Sequence, residues 1–551
     1  MTIFRALALA SIAAASIGAS PAADAPRFSH FTYTGKSDER VVAGPGTYRN
    51  PILSGYYPDP SVTRVGDDYY LVNSSFAHFP GLPVFHSKDL VHWTQIGNAI
   101  DRPDQLDFTG LRTSQGVFAP DISYHDGLFY IVNTCVECKG NFVITARNPA
   151  GPWSQPTWLP FEGIDPSIYW EGDRAWIVNN RAPAGPVRYD GHRAIWIQEF
   201  DWRAGRMIGD STQLIDGGVD PGKQPVWIEG PHILRKDRFY YLIAAEGGTA
   251  VDHSQVVLRS RAVRGPYVPF AGNPILTQRD LDPSRPHPVT STGHAKLVQT
   301  QNGDWWATFL GVRPYAGDYY NTGRETFLLP VTWRDGWPTI LPKGQPVPFV
   351  AKAPNLPTQP RPPLPTSGDF AYTDPFDGDR LSRQWIGVRT PRAPFYRVAN
   401  GDLILRSTTP IGDLSGAPAF VARRQQHSNA TVSTTVTFTP RSPRDRVGLA
   451  AMQSDDNYLV FALTLIDGKP AVALYTAVKG QERRVAFAPI PAGSAPMTLT
   501  IRTTGATMAF DVQTAAGKRT VAEKVDGRFL STHLAGGFVG TLIGPYAWTP
   551  S

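Results

Sequence analysis

Hydrophobic and polar positions along this chain repeat one short pattern. A polar turn built on Asp and Gly is followed by a run of aromatic and aliphatic residues of strand length. The copies are Gly66-Asp67-Asp68-Tyr69-Tyr70-Leu71-Val72, Asp126-Gly127-Leu128-Phe129-Tyr130-Ile131-Val132 and Gly172-Asp173-Arg174-Ala175-Trp176-Ile177-Val178, then Lys236-Asp237-Arg238-Phe239-Tyr240-Tyr241-Leu242 and Asn302-Gly303-Asp304-Trp305-Trp306-Ala307-Thr308. They fall roughly 45–65 residues apart, the interval of four-stranded propeller blades with loop insertions. Each copy has a later echo, a strand that ends in a charged turn and then meets an aromatic. His86-Ser87-Lys88-Asp89 leads to Trp93, Arg147-Asn148-Pro149 to Trp153 and Asp201 to Trp202, while Arg261 leads to Tyr267 and Arg334-Asp335 to Trp337. This predicts the outer hairpin of each blade, and hence five blades over residues 45–345.

From 346 to 368 the pattern gives way to proline, with Pro354, Pro357, Pro360, Pro362, Pro363 and Pro365. Such a stretch predicts an extended, semi-rigid connection with no sheet ladder. Beyond it, over 369–551, apolar runs return at 403–406, 430–438, 458–463, 471–475, 497–502 and 508–512, separated by Gly and Pro turns. That spacing predicts a β-sandwich. The chain of 551 residues is too long for one ordinary core, and 51 Gly, 51 Pro and abundant aromatics fit an all-β protein of many short strands.

The formal charge of +6 comes from scattered Lys and Arg, with no basic run to serve as a nucleic-acid footprint. At the N-terminus Arg5 precedes an Ala-rich apolar stretch, and Ser20-Pro21-Ala22 and Ala23-Asp24-Ala25 offer small-x-small cleavage patterns. Residues 1–25 are therefore expected to be an export signal, with the mature protein periplasmic or extracellular. No other apolar run reaches spanning length, so no membrane partner is expected. The only cysteines, Cys135 and Cys138, have the Cys-x-x-Cys spacing of a redox motif or half a zinc site. No second ligand pair stands at zinc spacing, and Lys139-Gly140-Asn141 reads as a loop rather than a helix. A local loop disulfide is the favoured reading.

Three carboxylates stand out. Glu229, in Trp227-Ile228-Glu229-Gly230-Pro231-His232, has an apolar and aromatic setting that would raise its pKa, as a general acid near neutral pH requires. Asp59 and Asp165 lie in matching Asp-Pro-Ser contexts at strand starts. Three such acids on an aromatic-rich chain suggest glycoside hydrolysis. Asp121, Glu246 and Glu325 are also strand-end acids and read as structural.

Several motifs in order carry a family resemblance. They include Asn50-Pro51-Ile52-Leu53, Tyr57-Pro58-Asp59-Pro60-Ser61, Ser75-Phe76-Ala77-His78-Phe79-Pro80-Gly81, Ala119-Pro120-Asp121, Gly163-Ile164-Asp165-Pro166-Ser167, Glu229-Gly230-Pro231-His232, Gly293-His294-Ala295 and Gly323-Arg324-Glu325-Thr326. With these the chain resembles glycoside hydrolase family 43, in its β-xylosidase and α-L-arabinofuranosidase branches. The resemblance implies a five-bladed propeller followed by a concanavalin-like jelly roll, to which Asp374-Pro375-Phe376-Asp377 and Arg423-Arg424-Gln425-Gln426-His427 are similar. It implies an exo-acting, inverting hydrolase that releases pentoses from xylooligosaccharides or arabinose-substituted xylan. Asp59 would be the general base, Glu229 the general acid, and Asp165 the group that orients Glu229 and raises its pKa. Arg324, His294, Phe76 and Phe118 would bind the sugar. His294 could bond Asp165 or a central water, and a calcium ion sits nearby in some relatives; no cofactor is required. At Phe118 many β-xylosidases of the family carry Trp, and Ala77-His78 replaces a common Glu-Trp pair, which leans toward arabinofuranose. The rival readings are an endo-arabinanase-like hydrolase and a non-catalytic carbohydrate-binding protein.

Overall fold

The computed structural model describes residues 25–493 and 496–550; nearly all of the expected export signal lies outside them. Among the described residues the propeller segment forms five antiparallel sheets, each with a four-stranded core. The innermost strands are Ser61–Val65, Asp121–His125, Ile164–Glu171, Glu229–Lys236 and Thr290–Gln299. Every repeated Asp/Gly turn joins an innermost strand to its second strand, and every echo joins the third strand to the fourth. Neighbouring innermost strands touch around the ring, the fifth closing on the first. The five-bladed expectation is met.

Burial explains the sequence pattern. Second strands such as Leu128–Val136 and Phe239–Glu246 lie between adjacent blades, so both faces are apolar and period-two alternation disappears. In the third blade's outermost strand, Arg206–Asp216, only Ile215 is buried. A separate apolar cluster fills each of the five gaps between blades. The ring is closed by the segment before the first blade. Thr326 and Leu53 exchange backbone hydrogen bonds, and the Asn50 side chain donates to Leu328 O and accepts from Leu328 N.

One polar group ties all five blades near the axis. Asp121, 1 % exposed, starts the second blade. Its Oδ1 accepts from Ser61 of the first blade at 3.0 Å and lies 3.6 Å from His232 of the fourth. Its Oδ2 accepts from the Ile168 amide of the third at 3.0 Å. Lys296 of the fifth completes the set, pairing with Asp121 and donating to Ile122 O at 2.8 Å. Breaking a buried pair leaves one charge uncompensated. Lys296→Met is therefore expected to cost about 3–5 kcal/mol, and Lys296→Met with Asp121→Asn to cost less than Lys296→Met alone. Denaturant midpoints check this; unchanged midpoints would show the hub to be dispensable.

The sandwich has two sheets. Its inner sheet holds Arg423–Arg424, Leu542–Trp548, Arg446–Met452, Tyr458–Ile466, Lys469–Val478 and Gln481–Pro489. One face of this sheet joins the sandwich core, through Leu449 and Phe461. The other joins a cluster with Tyr56 and Phe76 of the propeller, through Ala450 and Val460. The outer sheet contains a strand the sequence reading left unassigned. Arg27–Lys36 sits inside it, paired to Asn429–Thr437 on one side and to Asp402–Leu405 and Phe370–Asp374 on the other. The Pro-rich connection also departs from expectation at its start. Val350–Lys352 pairs with Thr47–Arg49, before the first of the clustered prolines removes a donor. The remainder is pinned along the propeller, Thr366 and Ser367 donating to Ile52 O and Pro51 O. Cys135 and Cys138 form the expected disulfide, at the turn between two second-blade strands.

Candidate active site

The innermost strands bring Asp59, Asp165 and Glu229 to one end of the ring, around a cavity of about 270 Å3. Phe76, Phe118, His294 and Arg324 line the same cavity, so every residue expected from the sequence is there. Asp59 (φ 51°), Phe76 (φ 52°), Asp165 (φ 54°) and His294 (φ 51°) all have left-handed backbone, which non-glycine residues adopt at a cost. With Trp227 (φ 51°) a fifth, these residues in one pocket mark a place where side-chain direction outweighs local strain.

Asp59 is held as a carboxylate. Burial alone would raise its pKa, but the Arg324 guanidinium, the His294 ring and the Ser74 hydroxyl together hold it below the usual value. Arg324 Nη1 donates to Asp59 Oδ1 at 3.2 Å, His294 Nδ1 lies 3.8 Å away, and Ser74 donates to Oδ2. Glu229 is the opposite case. Burial, then the negative charges of Asp165 and Asp59, push its pKa well above that of an ordinary glutamate, against the weaker pull of Arg324 and Arg193. Asp165 is raised by burial and by Asp59, opposed by His294 and by the Gly230 amide. That amide donates to Asp165 Oδ2 at 3.2 Å, linking the residue after Glu229 directly to Asp165. Gly230 suits this position: φ is +56°, and a Cβ would stand 2.9 Å from the His294 ring. The cavity thus faces one carboxyl group, Asp59, biased toward its ionised form and another, Glu229, biased toward its protonated form. Such a pair can take a proton from water at one place and give a proton at another.

Arg324 does not pair with its neighbour Glu325, which Arg313 holds through two bonds of 2.6 and 2.8 Å. It spends one donor on Asp59, another on Phe538 O at 3.5 Å, and keeps Nε without a protein partner. His294 stands between two of the acids: its Nδ1 lies 3.8 Å from Asp59 Oδ1, and its ring also acts electrostatically on Asp165. His78, at a departure from the family pattern, is buried beneath the edge of Tyr56, and burial lowers its pKa to about 3.

Three contributors escaped the sequence reading. Ser74 sits one strand-end before Phe76 and carries no spacing signal. Trp227 was read only as apolar surroundings of Glu229, but lines the cavity itself. Phe538 comes from the sandwich and stacks on Phe76, ring centroids 5.8 Å apart, with Phe118 edge-on to both. Nothing near Phe538 in the sequence points to a pocket hundreds of residues away. Gly323 beside Gly540 allows this approach, since a Cβ on Gly323 would lie 2.8 Å from the Gly540 Cα.

Calcium takes six to eight oxygen ligands. Asp59 is already engaged by Arg324 and Ser74, and the adjoining unpartnered atoms include the nitrogens His253 Nε2 and Gln255 Nε2 and the hydroxyl oxygen Thr292 Oγ1. Among the described residues no group of three or more His, Cys, Asp or Glu side chains is placed to hold a metal ion.

Residues 48–338 match the family described as Glycosyl hydrolases family 43, and residues 373–551 match the Beta xylosidase C-terminal Concanavalin A-like domain. The chain is 36% identical over 508 residues to a protein of Bacteroides ovatus named non-reducing end alpha-L-arabinofuranosidase BoGH43B, with 91% of each chain covered. It is 36% identical to a xylosidase/arabinosidase of Butyrivibrio fibrisolvens, over 90% of this chain and 95% of that one. Among solved structures it superposes with a TM-score of 0.89 on a GH43_12 protein retrieved from a capybara gut metagenome, 37% identical, over 95% of this chain and 100% of that one. On a xylan beta-1,4-xylosidase from Bacillus halodurans C-125 the TM-score is 0.82, at 32% identity, over 91% of this chain and 96% of that one.

Proposed function

The chain belongs to glycosyl hydrolase family 43, and from that premise we propose that it releases single pentoses, β-1,4-linked xylose or α-L-arabinofuranose, from xylooligosaccharides or arabinose-substituted xylan, with inversion at the anomeric carbon. The observation that carries this reading is the opposed pKa shifts of Asp59 and Glu229, which line one cavity. Asp59, as base, takes a proton from water that attacks the anomeric carbon. Glu229, as acid, gives its proton to the departing glycosidic oxygen as that bond breaks. Asp165 keeps Glu229 protonated through its negative charge and orients the following amide. Arg324 lines the cavity and binds sugar hydroxyls through its guanidinium, and Phe76 and Phe118 form the apolar wall. Carboxylates and water complete the reaction without a cofactor.

The cavity supports exo action. At about 270 Å3 it is below the usual size for drug-sized ligands and suits one sugar unit, and Phe538 of the sandwich closes part of its rim. An endo-acting enzyme needs a groove open at both ends. A non-catalytic binding protein has no use for one ionised and one protonated carboxyl, and any turnover excludes it. For location, we place the mature protein outside the cytoplasm. The leader-like residues 1–25 and the Cys135–Cys138 disulfide support an oxidising compartment.

The test of the sugar is kcat/KM for an aryl α-L-arabinofuranoside beside an aryl β-D-xyloside. With Phe118 and His78 in place of the larger family residues, arabinofuranoside is expected to be favoured, and a ratio above about tenfold corresponds to roughly 1.4 kcal/mol between transition states. A reversed ratio would reassign the sugar, and inactivity on both would remove the pentosidase reading.

A further inference from the structure

Trp227 has no part in the acid–base chemistry, yet its conformation is strongly enforced. It is 39 % exposed, lines the cavity two residues before Glu229, and has φ +51°. A bulky residue with left-handed backbone needs support from its surroundings. Here its amide donates to Gly191 O at 2.8 Å, and Val226 O accepts from the Gly247 amide at 2.8 Å. A Cβ on Gly191 would stand 2.8 Å from Val226 and 3.3 Å from the indole, so that position must stay bare. The Arg193 guanidinium covers the ring at 4.9 Å and is itself fixed by Asn180 Oδ1 at 2.8 Å. Asn180 in turn donates to Ile228 O, between Trp227 and Glu229. One aromatic face is thus braced from behind, beside the proton donor, and the ring remains accessible.

We propose that Trp227, braced by Arg193, is the platform for the sugar on the leaving-group side of the scissile bond. The proposal rests on the pentosidase reading above. The group that receives the proton of Glu229 is the departing oxygen, so the unit attached to that oxygen lies beyond Glu229, away from Asp59. A pyranose presents an apolar C–H face, and a rigid indole offers the matching flat surface at little entropic cost. The unit held there is a xylopyranose of the oligosaccharide or xylan backbone. Trp227 is a specificity residue for what the pentose is cut from, distinct from the pocket that selects the pentose.

The experiment compares Trp227→Ala with wild type on an unsubstituted or arabinosylated xylooligosaccharide and on the matching pentosyl fluoride, whose leaving group is no sugar. The ratio of the two kcat/KM values should fall about tenfold in the variant, chiefly through KM for the oligosaccharide, and Trp227→Phe should restore most of it. An unchanged ratio, whether through equal loss on both substrates or no loss on either, would overturn the platform while leaving the pentosidase reading intact. A wild-type enzyme inert on both substrates would overturn the two together.

Discussion

Asp59→Ala is expected to lower kcat by roughly 10³–10⁴-fold, and equally on oligosaccharides and on aryl glycosides with good leaving groups. The equality is the informative part. Water must be activated however easily the aglycone departs, so a better leaving group cannot replace the base. The environment of Asp59 fits this duty, since Arg324, His294 and Ser74 favour its ionised form against the effect of burial. Asp59→Asn keeps the shape and the Ser74 contact while removing the charge, and should lose nearly as much. Retained turnover in either variant, measured on protein with an unchanged denaturation midpoint, would remove Asp59 as base.

Glu229→Ala should behave differently on the two substrate classes. On natural glycosides the loss is expected at about 10²–10⁴-fold, because the departing sugar alkoxide needs a proton. On activated aryl glycosides it should be smaller by at least about tenfold, because such an anion leaves unaided. The pH profile supplies a second readout. Activity needs Asp59 ionised and Glu229 protonated. It should therefore fall as pH drops through the depressed pKa of Asp59, and fall again as pH rises through the elevated pKa of Glu229. In Glu229→Ala the alkaline limb should vanish on activated substrates while the acid limb persists. Equal loss on both classes, or an alkaline limb that survives, would assign the proton to another group.

The propeller was legible because each blade repeats a local event, a polar turn between two strands, and local events leave marks in sequence. The three acids were legible for a similar reason: Asp-Pro-Ser and Glu-Gly-Pro each combine an acid with a backbone constraint. Asp121 was rightly read as structural, but its link to four other blades could not be read, because Ser61, Ile168, His232 and Lys296 share no spacing with it. The N-terminal strand was missed because its partners lie at the other end of the chain. Phe538 and Trp227 were missed for opposite reasons. Phe538 reaches the pocket only through tertiary packing, whereas Trp227 lay in plain view but looked like insulation for Glu229. His294 was expected beside Asp165 or a central water, and its additional proximity to Asp59 could not be read from Gly293-His294-Ala295.

The position of Arg27–Lys36 has a consequence for how the protein is made. Thr32 hydrogen-bonds to Ser433, 401 positions further on. At ~5–20 residues per second on the ribosome, the first strand waits roughly 20–80 s for the strand that will hold it. During that interval the whole propeller segment is synthesised while Arg27–Lys36 remains an unpaired ribbon. The sandwich then assembles around a strand that arrived first and docks among the last. Arg27–Lys36 and Leu542–Trp548 therefore share one domain, and Arg27–Lys36 must be kept from pairing elsewhere until its partner strands are available.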